Sequence, residues 1–380
     1  MSEKIKLNKW FQLKPLIQKY PKAKYYLFYG LRSNGKTHAA LELILETHVK
    51  SGYKTQGAVL RRWDTDFKQS RAANYWGSLE CDGEGKNKIK MYTEGKYDRV
   101  VYQSGRWYLA YYDDELEKVI IAPEPFCFAF ALTNMEHEKG NSYPGLRNGY
   151  IFMDEFMTRK MYLPDNEFIT FCQMLSTLIR GDNSIKVLMA ANTVDLIGCP
   201  YFREMGLRHV KNMKPGDVEV YDYGNSGLQV VVQFCDAPLN GKPSDIYFAF
   251  DNPRLKLITT GEAEFDIYPP MYESINKSDV IFTYFIEYDG VLMQADVINK
   301  SNQTFTFIHR KTTPIKNEDT DIIFTTEANI NNNYCGRLTK PINKAIKKLY
   351  WYYVANKVFY ADNEIGETVA RYLYWCNNNR

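Results

Sequence analysis

An α/β chain with a mostly parallel sheet, followed by a smaller α+β unit, is what the sequence predicts, on three observations. Over the first 200 residues, short apolar runs of buried-strand length alternate with helix-forming stretches. A glycine-bounded turn joins the first such run to the first helix. The last third changes character, with short strands in quick succession before two closing helices.

The run Tyr25-Tyr26-Leu27-Phe28-Tyr29 reads as a strand that stops at Gly30, and a strong helix former runs from Thr37 to Ser51-Gly52. Gly57–Leu60 is the next strand. Residues 87–112 read as hairpins turning at Gly95 and Ser104-Gly105. Phe126–Leu132 and Tyr150–Met153 are further buried strands, the second ending in two carboxylates; a helix over about 167–179 and a strand over Ile185–Ala190 follow. In the last third, Val280–Tyr288, Val291–Ile298, Thr304–His309 and Ile322–Thr325 are strands, with Asp289-Gly290 a two-residue hairpin turn. Helices are expected over about 342–358 and 364–376. Lys214-Pro215-Gly216 and Pro269-Pro270 mark breaks between domains.

The 380 residues carry 48 Lys+Arg against 45 Asp+Glu, a net charge of +3. That length supports two or more cores, and the balanced charge excludes a histone-like mode of nucleic-acid binding, leaving local patches. No apolar run approaches the ~18 residues of a membrane span, Phe126–Leu132 being only seven long, so no membrane partner is expected. Charge in Met1–Lys6 stands where a signal peptide needs an apolar segment. Seven dispersed cysteines without a C-x-x-C pair read as reduced, cytosolic thiols.

Gly30-Leu31-Arg32-Ser33-Asn34-Gly35-Lys36-Thr37 fits G-x-x-x-x-G-K-[ST] at every position. A nucleoside triphosphate needs its clustered negative charge met by converging donors, which the loop's N–H groups and the helix N-terminus supply. Lys36 is expected on the β- and γ-phosphates of ATP and the Thr37 hydroxyl on Mg²⁺. In Ile151-Phe152-Met153-Asp154-Glu155, Asp154 suits the Mg²⁺ shell and Glu155 suits activation of water, which favours a hydrolase over a kinase. Asn192, in Ala190-Ala191-Asn192-Thr193 at the end of the next strand, can sense the γ-phosphate or hold the lytic water; it also reads as a turn former. Arg180, before Gly181-Asp182-Asn183, reads either as a solvated helix end or as an arginine finger for a neighbouring subunit.

These pieces together resemble the DNA-packaging ATPases of small, short-tailed, terminal-protein-primed bacteriophages. The likeness extends to Val59-Leu60-Arg61-Arg62-Trp63, to Lys139-Gly140-Asn141-Ser142-Tyr143-Pro144, and to Asn192-Thr193 with Pro200-Tyr201-Phe202. The resemblance implies a P-loop ATPase domain of the additional-strand, catalytic-glutamate type over residues 1–210. It further implies a small linker domain over 211–270 and an α+β domain over 271–380 resembling an RNase H-type nuclease. It implies a homo-oligomeric ring, usually a pentamer, in the host cytoplasm and transiently on the portal vertex of a procapsid, pumping double-stranded DNA inward. By the same resemblance Arg180 is the trans-acting finger, and Lys139 is a basic residue acting across that interface. The spacing from Pro144 to Asp154 is slightly longer here than in that family. Two rival readings are a cellular DNA pump or helicase, separated by whether a portal-bearing capsid is required, and a P-loop phosphotransferase without a DNA track, whose rate would ignore duplex DNA.

A two-metal nuclease needs carboxylates converging within ~4 Å of paired ions. Glu287, Asp289 and Asp296 are the candidates, but Asp289 is better used in the turn, so a vestigial, non-cleaving domain is expected. A motor that grips any sequence needs phosphate contacts. Lys54, Lys86, Lys88 and Lys90 are candidates, as is the basic segment 337–380 with Lys344, Lys347 and Lys348. That helix also reads as an ordinary solvated face, with Ile342, Ala345, Ile346, Leu349 and Tyr353 buried; Tyr350–Tyr353 reads as core.

Overall fold

Continuous apolar runs make the strands of the first sheet, because both faces are covered. Its strands are β1 (Tyr25–Gly30), β2 (Gly57–Arg61), β3 (Arg99–Gln103), β4 (Arg106–Asp113), β5 (Lys118–Ile121), β6 (Cys127–Ala131), β7 (Tyr150–Asp154), β8 (Lys186–Asn192), β9 (Val218–Asp222) and β10 (Gln229–Phe234). They lie in the order β3-β4-β6-β2-β7-β8-β1-β10-β9, with β5 on β4. From β6 to β10 the pairing is parallel; β4 and β9 pair antiparallel at the two ends. The computed structural model describes residues 10–31, 34–82, 85–158, 163, 167–193, 199–235, 268–271, 274–341 and 346–378.

Alternation along each strand sorts the side chains into two layers. Leu27, Tyr29, Leu60, Ile151 and Met153 pack with Phe171, Met174 and Leu178 of the helix Glu167–Ile179. Tyr26, Phe28, Val59 and Phe152 pack instead with Leu13 and Leu16 of α1 (Leu13–Lys19) and with Leu41 and Ile44 of α2 (Lys36–Lys50). β8 is an additional strand between β1 and β7, so the loop after β1 and the acids after β7 are separated by one strand tip.

The structure corrects several expectations. Residues 218–234, assigned above to a linker, belong to the first sheet, where Val230, Val231 and Val232 cover the open side of β1. By chain contacts there are two units, Met1–Ala263 and Glu264–Arg380; most of the rest of 211–270 lies outside the described residues. Lys88 and Lys90 sit on a short helix, Lys88–Tyr92, capped by the Asn87 side chain, and not on a hairpin; Ser104-Gly105 does turn the β3–β4 hairpin. The expected helix over 342–358 is described only over Lys347–Val354, because Val358–Tyr360 pairs with a strand; Ile342, Lys344 and Ala345 lie outside the described residues.

In the second unit β11 (Val280–Tyr288), β12 (Val291–Lys300) and β13 (Gln303–Arg310) form a meander. Asp289 and Gly290 both take positive φ, 59° and 72°, as a two-residue turn between right-twisted strands requires. β14 (Ile323–Thr325), β15 (Tyr334–Cys335) and β16 (Val358–Tyr360) complete the order β15-β14-β11-β12-β13-β16. Ile365, Val369 and Tyr372 of the helix Asn363–Asn378 close this core. Ile346 and Leu349 are buried and the Tyr353 hydroxyl meets that of Tyr284 at 2.8 Å, but Trp351 is 53% exposed, contrary to a wholly buried aromatic run. All seven cysteines are free, and among the described residues no helix is long and apolar enough to cross a membrane.

Candidate functional site

The parallel register brings four strand tips side by side. Gly30 pairs with Asn192, Asp154 with Ala190, and Leu60 with Met153, so Gly30, Asn192, Asp154 and Arg61 close adjacent strands at one sheet edge. This is where open parallel sheets collect ligands. A Cβ on Gly30 would meet the Cys235 carbonyl oxygen at 2.9 Å, so only glycine allows the loop to leave β1 this close to the exit of β10. Gly35 has φ 87° and sets the left-handed step into α2.

Lys36 is almost fully buried. Its ammonium donates to the carbonyl oxygens of Leu31 at 2.5 Å and Gly30 at 3.3 Å, and to Oδ1 of Asn34 at 2.9 Å and of Asn192 at 3.4 Å. Burial pushes its pKa down to about 8, against the opposing pull of Cys235 and Asp154. Nδ2 of Asn34, in the same cradle, is buried without a hydrogen-bond partner. Arg32 and Ser33 lie outside the described residues. A cleft of about 440 Å³ lined by Trp10, Phe11, Gly35, His38, Ala39 and Glu42 flanks the loop.

Asp154 is buried and accepts hydrogen bonds from the Thr37 hydroxyl (3.2 Å to Oδ1), Arg61 (3.0 Å to Oδ2) and Tyr75 (2.8 Å to Oδ2). An octahedral ion with ~2.1 Å bonds has neighbouring ligand oxygens about 3 Å apart. The Thr37–Asp154 separation of 3.2 Å therefore fits Mg²⁺ with little rearrangement, and the unpaired Asn34 amide fits a phosphate oxygen. Glu155 adopts φ 58°, a backbone conformation that non-glycine residues rarely take, and it turns the carboxylate out to solvent. That turn is held from behind. Arg62 donates Nε to both oxygens of Glu167 (2.9 and 2.8 Å), and its other nitrogens donate to the carbonyls of Glu155 and Phe156. The Tyr201 hydroxyl donates to Glu167 at 2.7 Å.

The structure thus brings together Lys36, Thr37, Asp154, Glu155 and Asn192. It does not bring Arg180 or Lys139 to them. Arg180 is exposed at the end of its helix, with φ 43°, beside Tyr25 at the start of β1; six strand residues, about 20 Å, separate that position from the loop. Lys139 pairs on the surface with Glu136 at 2.6 Å. Sequence reasoning missed Arg61 and Tyr75 as partners of Asp154, and the buried Arg62–Glu167 pair. The two adjacent arginines closing an apolar strand were the available signal; Tyr75 offered none.

A glycine-bounded loop between a central parallel strand and a helix, with an Asp-Glu pair two strands away and an additional strand between, belongs to a mixed α/β fold with a parallel-rich sheet. No protein-family model matches the chain, and no curated protein does. Among solved structures the chain resembles phage DNA-packaging ATPases. A chain of the bacteriophage Phi-29 viral genome packaging motor assembly aligns with a TM-score of 0.60 at 17% identity, over 97% of this chain and 99% of that one. The Phi-28 gp11 DNA packaging motor aligns at 0.51 and 14% identity, over 98% and 99%.

Proposed function

We propose that this chain is an ATPase that drives double-stranded DNA into a preformed phage capsid. The observation that carries the reading is the row of strand tips on which Lys36, Asn192, Asp154 and Glu155 converge. The fold likeness to packaging motors across both units supports the choice of DNA as the track.

In this reading the nucleoside would lie in the cleft beside Gly35, and Thr37 and Asp154 would hold a magnesium ion. When bound, magnesium neutralises charge building on the phosphate oxygens. Lys36 exchanges its loop carbonyls for phosphate oxygens, and Asn192, already within reach of Lys36, orients the water. Glu155 accepts the water's proton. Arg180 stands at the far end of β1 from its own loop, which supports the reading that it serves a neighbour's site in a closed ring, taken as pentameric, on the portal of the procapsid. Lys139 acts across the same interface after leaving Glu136. Lys54, Lys86 and Lys90 are exposed and remain the candidates for gripping the DNA backbone, with Lys347 and Lys348 in the second unit; Lys88 is tied to Glu42 at 3.2 Å.

The strand order β13-β12-β11-β14-β15, with β14 parallel to β11, supports an RNase H-type ancestry for the second unit. Its acids do not support cleavage. Asp289 is held by Arg371 at 3.0 Å, and Asp296 accepts from Thr283, Gln294 and His309. Asp296 is opposite Thr283, four residues along β11 from Glu287, or about 13 Å. Nicking of DNA with Mg²⁺ or Mn²⁺ that Asp296→Asn abolishes would overturn this part. The whole reading is tested by ATP-dependent protection of duplex DNA from nuclease in purified empty capsids: protection is expected, and its absence with an active ATPase would favour a cellular pump or a phosphotransferase.

A further inference from the structure

Arg61 and Arg62 are adjacent in sequence and opposite in use. Arg62 has its Nε and both terminal nitrogens engaged, on Glu167 and on two backbone carbonyls, in a buried and fully committed arrangement. Arg61 reaches across the strand tips to place Nη2 3.0 Å from Asp154 and 3.4 Å from Glu155, with its guanidinium 5.6 Å from the Tyr75 ring centre. Its Nε is buried without a partner. It borders a cavity of about 220 Å³ shared with Asp66, Asp154 and Glu155, so the guanidinium has room to swing.

The carboxylate that Arg61 holds is the one that also faces Thr37. A divalent ion bridging Thr37 and Asp154 would stand within a few ångströms of a guanidinium on the same carboxylate, where like charges repel strongly at the reduced dielectric of a partly buried site. An arginine cannot shed its proton to relieve this. It has somewhere to go, because Glu155 is a second acid already within reach and is mostly solvent-facing.

We propose that Arg61 is a positioning residue that competes with magnesium for Asp154 and is handed to Glu155 as a magnesium nucleotide enters, so that it sets the magnesium requirement of the loop. This rests on the loop being a magnesium–nucleotide site. A purely structural arginine, or one that merely attracts phosphate, predicts the reverse: its removal would weaken binding with and without magnesium alike.

The test is calorimetric titration of the full chain with a non-hydrolysable ATP analogue over a series of magnesium concentrations and in chelator. Arg61→Gln is compared with the native chain, and Arg61→Lys, which keeps the charge, is the second variant. The magnesium concentration for half-maximal tight binding should fall about tenfold in Arg61→Gln and much less in Arg61→Lys. Binding in chelator should not tighten. An unchanged magnesium midpoint, with the analogue bound by both proteins, overturns the proposal and leaves the loop reading standing. Failure of the native chain to bind the analogue at any magnesium concentration overturns both. If Arg61→Gln does not fold, Arg61→Met, which removes the charge and keeps much of the stem, is read in its place: a midpoint equal to or above the native one contradicts the competition.

Discussion

Each of the two sheets buries one aspartate on a strand, and the pair shows how position decides use. Asp154 closes a parallel strand, and its partners, Thr37, Arg61 and Tyr75, come from the loop helix, a neighbouring tip and a distant helical turn. Asp296 lies within an antiparallel ladder. Its partners, Thr283, Gln294 and His309, project from the same three strands on the same face. A carboxylate at a strand tip faces an open cleft and a cationic loop; one within a ladder is satisfied by its neighbours and offers little to a ligand. In the proposed reading, the same chemical group is a site in one unit and a fastening in the other.

The comparison is sharpest under identical substitutions. Asp154→Asn should lower ATP turnover on the order of 10³-fold, whereas Asp296→Asn should leave it within about twofold, as measured by steady-state phosphate release. Equal losses would erase the distinction. Arg180→Ala should lose on the order of 10³-fold as a homogeneous protein. Mixed with Glu155→Gln chains it should regain part of its activity, because a site can then combine one chain's Glu155 with the other's Arg180. No recovery on mixing would remove the shared-site reading.

Two pH effects are smaller. Lys36, at about 8 when held on its loop carbonyls, should move back toward its ordinary 10.5 beside phosphates. Nucleotide binding near pH 8 should therefore take up about half a proton, read by calorimetry in buffers of different ionisation enthalpy; release instead would contradict the assigned contact. In the second unit, the hydrogen bond to Asp296 raises His309 above its ordinary 6.5. Burial alone would raise Asp296, but bonds from His309, Thr283 and Gln294 outweigh it and bring it below 3.8. The His309 contribution is present below pH 6.5 and lost as pH rises through its raised value; that of Asp296 is present above pH 3.8 and lost as pH falls through its lowered value. Both groups keep some solvent contact, so thermal unfolding of the second unit should weaken by at most about 1 kcal/mol between about pH 6 and pH 9, and His309→Asn should remove that slope.

The site was legible where its chemistry is local. The loop needs eight consecutive residues of fixed type, and the acid pair needs only an apolar strand before it, so both could be placed without the fold. Asp154's partners were not legible: Tyr75 is 79 residues away and Arg61 is 93, and nothing in either segment specifies that pairing. The same cause explains the misplaced domain break. Pro215 and Gly216 do mark a turn, but the valines after it complete β1's sheet, a decision made by a strand 200 residues earlier. The expected C-terminal helix failed because Asn356, with φ 55°, turns the chain into β16 against β13.

Duplex-stimulated ATP hydrolysis by the native chain and by Glu155→Gln, with nucleotide binding followed in parallel, tests most directly whether these strand tips power movement of DNA. Native turnover should rise when duplex is added, and Glu155→Gln should still bind magnesium nucleotide yet turn over at least 10²-fold more slowly. Turnover that survives the substitution, or that is indifferent to duplex DNA, would contradict the assignment.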